Sequence, residues 1–503
     1  MIKEAAKLSL VKDKHEHGHG QNRFAVIPTP ERLDADTVHT GRGITIAFLD
    51  SGFYPHPDLT EPRNRIIAYK DLAKEENIEE DALACFLSNA EGCTKNSKPI
   101  QWHGTQTTIS CAGNGKLSDG VYRGLAIESD LVLVKASDEN GRITEDNIAA
   151  GIEWVIENRE KYNIRILNMS LGGDEDVPCS RSIIDKAAER AVAEGIVLVV
   201  AAGNSDMSRS IPPANSPSVI TVGGYHDNNA LDENRYELYH SNYGHTADGI
   251  LKPEIVAPAM WVAAPILPNT ESYKEAEALS ELASTPDYQL RSVLFDLWRT
   301  AGLPESTLYA EFDEIRDEVE QRLRDAKIVS THYQHVDGTS FAAPIVSSIV
   351  AQMLEANPKL TPSAVKQILI STADRIKDAP LVRQGYGRVN ARRAVALASR
   401  EQHEIARENF RPPCSDRNGI TFFYHDDEAR TVALAGDFNN WNTTQNFFEK
   451  DANGIWRATT KKLESGHYRY KFVINNERWI DDPANGLKEI DHFGGFNSIL
   501  NIA

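Results

Sequence analysis

The chain changes its hydrophobic rhythm twice. Up to about residue 260, short apolar runs alternate with amphipathic segments. Gly43–Asp50 is a continuous apolar run ending in an acid, the pattern of a strand buried on both faces. Leu131–Val134, Ile164–Met169, Ile196–Ala202 and Val219–Val222 read the same way. Between them, Thr144–Asn158 sets Ile148, Ile152, Val155 and Ile156 on one helical face. Ser182–Glu194 is a helix closed by Gly195 at its C′ position. Residues 71–100 are polar and predict a surface loop. This alternation predicts an α/β fold, a doubly wound, mostly parallel sheet with helices on both faces.

From about 260 to 333 the strand rhythm stops. Leu290, Val293, Leu294, Leu297 and Trp298 form one helical stripe, and Leu308, Phe312, Ile315, Val319 and Leu323 form another. An inserted helical subdomain over about 265–333 follows. Glu271–Ser330 carries 14 acidic and 7 basic residues. From Gly338 the main fold resumes, with an apolar helix over Ile345–Leu354 and helices near Pro362–Thr372 and Asn390–Ser399. Residues 401–418, polar and containing Pro412-Pro413, read as a linker. Beyond it the period is two. Ile420–Tyr424, Thr431–Ala435, Trp456–Thr460, Tyr468–Ile474 and Ser498–Ile502 predict an immunoglobulin-like β-sandwich over 419–503. The peptide before the first strand, residues 1–24, is a polar tail with His15, His17 and His19. That tract reads as a flexible tail or as a metal-binding one.

Composition narrows the function. Of 503 residues, 41% are apolar and 25% charged, ordinary for a globular protein with room for two or three domains. Net charge is -19, from 54 basic and 73 acidic residues. That disfavours nucleic acid and anionic membrane as partners. No apolar run approaches a membrane span. Met1–Val11 has only Leu8–Val11 as an apolar block, too short for a signal peptide core. The cysteines are 5, an odd and scattered set. Both features lead to the expectation of a cytoplasmic protein.

Three residues carry candidate chemistry. Ser340 follows Gly338-Thr339 at the start of a buried helix, where a hydroxyl and an unpaired backbone N–H share one residue. Taken alone, it is also an ordinary N-cap. Asp50 ends a strand, where ligands gather in parallel sheets. His103 opens the small-residue segment Gln106–Ala112. The order Asp50, His103, Ser340 is that of subtilisin.

The surrounding segments make the resemblance broad. They are Ala47–Gly52 with His56-Pro57-Asp58-Leu59, His103-Gly104-Thr105, Asn168–Gly173, Ala201–Asn204, Pro217–Gly223, Lys252–Pro258 and Gly338–Pro344. Over 25–400, outside the insert, the chain resembles the subtilisin-type serine peptidases, with the intracellular members nearest in layout. The resemblance implies a serine endopeptidase that needs no cofactor for chemistry. Ser340 is then the nucleophile, His103 the base and Asp50 its orienter. Asn204 matches the family's oxyanion donor, and Ser170, Leu171, Gly172 and Gly173 match the strand that pairs with substrate. Asp58 matches a family calcium ligand, although no full ligand set is legible, so structural calcium stays open. Residues 1–24 leave no room for a folding prodomain and are expected to obstruct the site. The insert is either a lid or adaptor surface, or a remote decoration or oligomer contact.

The C-terminal part resembles the glycogen-binding module of AMP-activated kinase β-subunits and related starch-active enzymes. The matching pieces are Val432–Trp441, Gly466–Phe472, Trp479, Asp482-Pro483 and Asn497. The resemblance implies a sugar site with Trp441 and Trp479 as aromatic platforms and Lys471 and Asn497 bonding hydroxyls. Trp456, without a matching ligand position, reads as core. Partners are then a peptide or protein substrate and glycogen or another α-glucan. The alternative is a catalytically silent subtilase-like scaffold that binds a protein partner or a glucan.

Overall fold

Alternation along the apolar runs decides the layers. In β1 (Thr45–Asp50), Ile46 and Phe48 join one buried cluster while Ala47 and Leu49 join another. Successive side chains of a strand point to opposite faces, so an all-apolar strand needs cover on both. Six more strands follow: β2 (Ile66–Asp71), β3 (Asp130–Lys135), β4 (Ile164–Met169), β5 (Val197–Ala201), β6 (Ile220–His226) and β7 (Ile255–Pro258). They pair in the order β7-β6-β5-β4-β1-β3-β2, every pair parallel. A short strand, Glu237–Leu238, adds antiparallel to β6. The structure is a computed structural model that describes residues 25–73, 79–92, 101–138, 140–268, 270–400, 413–415, 419–426, 429–451, 454–485 and 487–502. The tail 1–24 with its histidines, and most of the linker 401–418, lie outside the described residues.

Helices supply the cover. On one face lie α3 (Glu145–Glu157) and α4 (Ile183–Ala193), numbered after α1 (Glu79–Gly92) and α2 (Trp102–Ala112). Thr144 Oγ1 accepts the Asn147 N–H and Ser182 Oγ accepts the Asp185 N–H, capping α3 and α4. Gly195 takes φ +91° after α4, where a side chain would be strained. The other face is covered by α5 (Thr339–Ala356), buried along nearly all its length. One expectation fails here. Residues 71–100 are not all loop, because Glu79–Gly92 is helical. Ala82, Leu83, Phe86 and Leu87 make a narrow stripe that the polar neighbours hide, and Phe86 stacks on Tyr69 at 4.2 Å.

Residues 265–335 form a compact unit of their own. Its helices are Glu271–Ser284, Asp287–Leu297 and Phe312–Asp325, followed by paired strands at Ile328–Ser330 and Tyr333–Val336. Leu290, Leu294, Ile315, Val319 and Leu323, from the two stripes read in the sequence, are buried in its core. Ala276, Leu279 and Leu282 add the face of the first helix. Among the described residues no helix is long and apolar enough to cross a membrane.

The C-terminal module is antiparallel. Ile420–His425 pairs with Ile455–Thr460, while Val432–Gly436, Phe496–Ile502 and Lys488–Ile490 extend a second sheet around Gly466–Ile474. Phe422, Leu434, Trp456, Tyr470 and Phe472 fill the space between. The module is docked on the α/β body. Ile250 and Leu487 form a β-bridge, and His245 Nε2 donates to the Lys488 carbonyl at 3.0 Å. Tyr386 Oη donates to Asp481 Oδ2 at 2.5 Å. The buried Lys488 ammonium bonds Tyr386, Asp481 and, at 2.8 Å, the Asp482 carbonyl. Beneath this joint, Lys252 and Lys366 share Glu254 Oε1 at 2.7 and 2.6 Å and both reach the Val219 carbonyl. Burial presses the Lys252 ammonium down to about 8 despite the Glu254 charge.

Removing one member of a buried ion pair strands the other. Lys488→Ala is expected to destabilise the folded protein by about 3–5 kcal/mol in urea unfolding. The double variant Asp481→Leu/Lys488→Leu is expected to recover most of that loss. Equal losses in both variants would show that packing, not the stranded Asp481 charge, sets the cost.

Candidate active site

The site begins where β1 ends. Asp50 is buried, and its Oδ1 accepts the Ser51 N–H at 2.6 Å. Helix α2 brings two more donors. Thr107 Oγ1 reaches Asp50 Oδ2 at 3.1 Å, and His103 Nδ1 lies 2.8 Å from Asp50 Oδ1. Gly104 makes this seat possible. A Cβ there would stand 2.3 Å from the Gly52 carbonyl oxygen and 3.0 Å from Asp50 Cβ. Burial alone favours the neutral His103 ring. The Asp50 charge and hydrogen bond together outweigh it and raise the imidazole above its ordinary proton affinity.

The second arm comes from α5. Gly338 has φ +135° and donates its N–H to Ala259 at 2.7 Å, which aims the start of α5. Ser340 is half-buried in the first turn. Pro344, four residues on, has no N–H to give the Ser340 carbonyl. Ser170 Oγ fills that gap at 2.8 Å. Behind it, Asn168 Nδ2 donates to Ser170 Oγ at 3.4 Å and Ser347 Oγ donates to Asn168 Oδ1 at 2.9 Å. The end of β4 is thus tied to the helix that carries Ser340. His103 faces the same helix, its ring 6.0 Å from that of Phe341.

Asn204 follows β5. Its Oδ1 accepts from Thr339 N at 2.8 Å and Thr339 Oγ1 at 2.9 Å, while Thr339 Oγ1 accepts the Gly203 N–H at 3.2 Å. With the oxygen spent on Thr339, the amide presents its Nδ2 donors beside Gly338, whose Cβ position is 3.6 Å from that nitrogen. A pocket of about 110 Å³ opens between Ser340, Asn204, the segment Ser170–Gly172 and the wall Ile211–Ala214. No titratable side chain lines it.

The structure therefore brings Asp50, His103, Asn204, Ser340 and Ser170–Gly173 to the C-terminal end of the parallel sheet. Sequence reasoning missed Thr107, Thr339 and Ile211 as contributors. Thr339 stood inside a quoted motif, but Thr107 and Ile211 act only through tertiary contact. Asp58 lies elsewhere, fully buried at the start of the turn Pro57–Thr60, with Oδ1 accepting the Leu117 N–H at 3.2 Å. Its carbonyl accepts from the buried Arg65 guanidinium at 2.7 Å. Among the described residues no three Asp, Glu, His or Cys side chains gather as a metal site.

On the module, Trp441 and Trp479 stand together, ring centroids 6.3 Å apart and tilted by 33°. Trp441 rests on Ala433, Ala435 and Val473, and Trp479 is 44% exposed. Tyr470 and its partner Ser498 face the core, so the adjacent Lys471 and Asn497 face the tryptophan side. Lys471 is not a free ammonium there. It is nearly buried and paired with Asp491, which also accepts the Phe493 and Gly495 N–H groups at 2.8 and 2.7 Å. Asp491 was not legible as a partner, because it lies across a turn from the strand of Lys471.

Residues 41–387 match the subtilase family, and residues 409–486 match carbohydrate-binding module 48, the isoamylase N-terminal domain. Serine protease AprX of Bacillus subtilis is 31% identical over 369 residues, 71% of this chain and 67% of that protein. The thermostable alkaline protease of Halalkalibacterium halodurans is 34% identical over 206 residues, 41% of this chain and 46% of that protein. Among solved structures, fervidolysin from Fervidobacterium pennivorans, a keratinolytic enzyme related to subtilisin, aligns with 88% of this chain and 54% of its own, at 19% identity and a TM-score of 0.48. The chain belongs to the subtilase family of serine endopeptidases and carries a C-terminal carbohydrate-binding module 48.

Proposed function

We propose that Ser340, His103 and Asp50 hydrolyse peptide bonds through an acyl-enzyme. The observation that carries this reading is the Asp50–His103 bond of 2.8 Å, at the C-terminal end of the central strand β1. Ser340 Oγ attacks the substrate carbonyl carbon as its proton passes to His103 Nε2, while Nδ1–H stays on Asp50. The tetrahedral oxyanion takes hydrogen bonds from Asn204 Nδ2 and the Ser340 N–H. His103 then protonates the leaving amine and the C–N bond breaks. Water repeats the cycle in reverse roles and frees the acid.

Substrate specificity starts at the 110 Å³ pocket beside Ser340. Its walls of Ala, Gly, Pro, Val and Ile suit an uncharged apolar side chain at P1, the residue before the cleaved bond, because a buried charge would find no partner. Ile211 lines the pocket, its Cδ1 standing 3.7 Å from the Cβ position of Gly172. The C-terminal module extends the reading. Neighbouring tryptophan faces suit the apolar C–H faces of glucose, and we assign Trp441 and Trp479 as the platform that holds the enzyme on glycogen or a similar α-glucan. Asn497 offers a polar contact on the same face. The Lys471–Asp491 pair does so only where a hydroxyl bridges it. Five scattered cysteines fit a cytoplasmic enzyme.

Three measurements test this reading. A fluorophosphonate probe is expected to label wild type and leave Ser340→Ala unlabelled. No labelling of folded wild type would favour the silent scaffold. Catalysis needs the neutral His103 ring, and its raised proton affinity shifts the acid limb of kcat/KM above about pH 6.5, the ordinary imidazole value. Asp50→Asn should move that limb to lower pH while lowering kcat by up to about 10⁴. Finally, amylose or glycogen pull-down should retain wild type and lose Trp441→Ala and Trp479→Ala. Equal retention of all three would remove the sugar assignment.

A further inference from the structure

The inserted unit shows solvent a row of aromatic side chains. Its middle helix, Asp287–Leu297, buries Leu290 and Leu294 in the unit's own core. The opposite side carries Tyr288 and Phe295, about two turns apart and therefore on one stripe. They are 82% and 70% exposed. Tyr309, 80% exposed, is held beside this stripe. Arg291 of the same helix donates to the carbonyls on either side of it, those of Leu308 at 3.3 Å and Ala310 at 2.8 Å. The Arg291 guanidinium also covers the Phe312 ring at 4.9 Å. Apolar side chains scattered singly on a surface need no explanation, whereas rings gathered on one face mark an interaction surface.

Charge says what this face takes. Of the 7 basic residues in Glu271–Ser330, Lys274, Arg316, Arg322 and Arg324 pair with Glu271, Asp287, Glu275 and Glu320. Arg291 spends its guanidinium on carbonyls and a ring, and Arg299 lies over the Trp298 ring at 4.9 Å. Among the described residues neither meets a carboxylate. Arg299 stands about one turn beyond Phe295, and Asp296 borders the face. Two guanidinium groups without acids thus flank the exposed rings, in a unit with 14 acidic residues. Arginine with aromatic rings is the composition of interface centres. A nucleic acid would bring its whole backbone charge against a chain of net charge -19. A second copy would crowd the arginines of both copies into one seam. A peptide segment with a few carboxylates between apolar side chains matches the arginines and the rings alike.

We propose that Tyr288, Phe295, Tyr309, Arg291 and Arg299 form a docking surface for an acidic, apolar segment of a protein substrate, separate from the segment that is cut. Docking itself does not depend on the triad. Its consequence, recruitment of a substrate, rests on the peptidase reading. Binding at a remote segment lowers KM for proteins that carry it and leaves short peptides unaffected. The rings supply apolar area and the arginines select the sign of the partner's charge, so salt weakens the selection.

The test uses the full chain with Ser340→Ala, which separates docking from cleavage. The probe is a displayed library of random peptides about twelve residues long, enough to span Tyr288 to Arg299. Peptides held by this chain and released when Tyr288→Ser and Phe295→Ser are added are the patch-dependent set. Both replaced rings are exposed, so folding is not at stake. That set is expected to hold Asp and Glu at least about threefold above the library, together with apolar residues. Measured singly, its peptides should lose roughly tenfold or more in Kd with the two serines, as for aromatic anchors. Arg299→Glu should weaken them and favour basic peptides. Fused to a cleavable reporter, such a peptide should lower KM for otherwise wild-type enzyme without changing kcat. No patch-dependent peptides, or none enriched in acids, overturns the docking surface. So does a dimer in sedimentation that the two serines abolish, or patch-dependent capture of a single-stranded oligonucleotide. Patch-dependent acidic peptides, with no fluorophosphonate labelling of wild type, uphold the surface and remove the peptidase reading instead.

Discussion

A buried carboxylate is the constraint on which the site is built. Asp50 lies at 1% exposure in the sheet's centre, between β3 and β4 on either side of its strand. A charge so placed is costly unless several donors meet it. Ser51, Thr107 and His103 provide them, and two of the three come from α2. Satisfying Asp50 therefore fixes where α2 packs. Gly104 is the consequence, since the helix must come so near β1 that no side chain fits between them. The geometry of the Asp50–His103 pair and helix packing are one problem here with one solution.

The same economy appears on the other side of the site. Pro344 removes a helical hydrogen bond from the Ser340 carbonyl, and Ser170 of the neighbouring strand end replaces it. Thr339 spends both its N–H and its hydroxyl on the oxygen of Asn204, so the amide is oriented before any substrate arrives. Both devices place preformed donors at the open end of a parallel sheet, which is where this fold gathers ligands. They also leave the pocket walls apolar.

The C-terminal module follows different rules. Its core is aromatic, and its outer face keeps two tryptophans side by side. Its junction with the α/β body is polar and buried, with Lys488 at the centre of contacts to Tyr386, Asp481 and Asp482. A joint of this kind holds one orientation, because each buried charge has its partner in only one arrangement. The module is therefore seated on the enzyme rather than strung from it.

Much of this was legible in order along the chain. The strands over Ile164–Met169 and Gly466–Ile474 and the helix over Pro362–Thr372 show in their periodicity, because burial on one or both faces leaves a repeat of two or 3.6. Asp50, His103, Asn204 and Ser340 could be picked out as candidates because each stands at a strand end or helix start inside a motif of the family. The helix over Glu79–Gly92 was not, since its stripe is only a few residues wide among polar ones. Nor was the Lys471–Asp491 pair, which depends on how a turn folds back. The sequence by itself determined which side chains could do chemistry and on which kind of element each would sit. The tertiary structure alone decided which carbonyl Ser170 serves, which wall Ile211 closes, and that Glu145 leans on Gly173. Such contacts join positions far apart in the chain, and no local pattern records them.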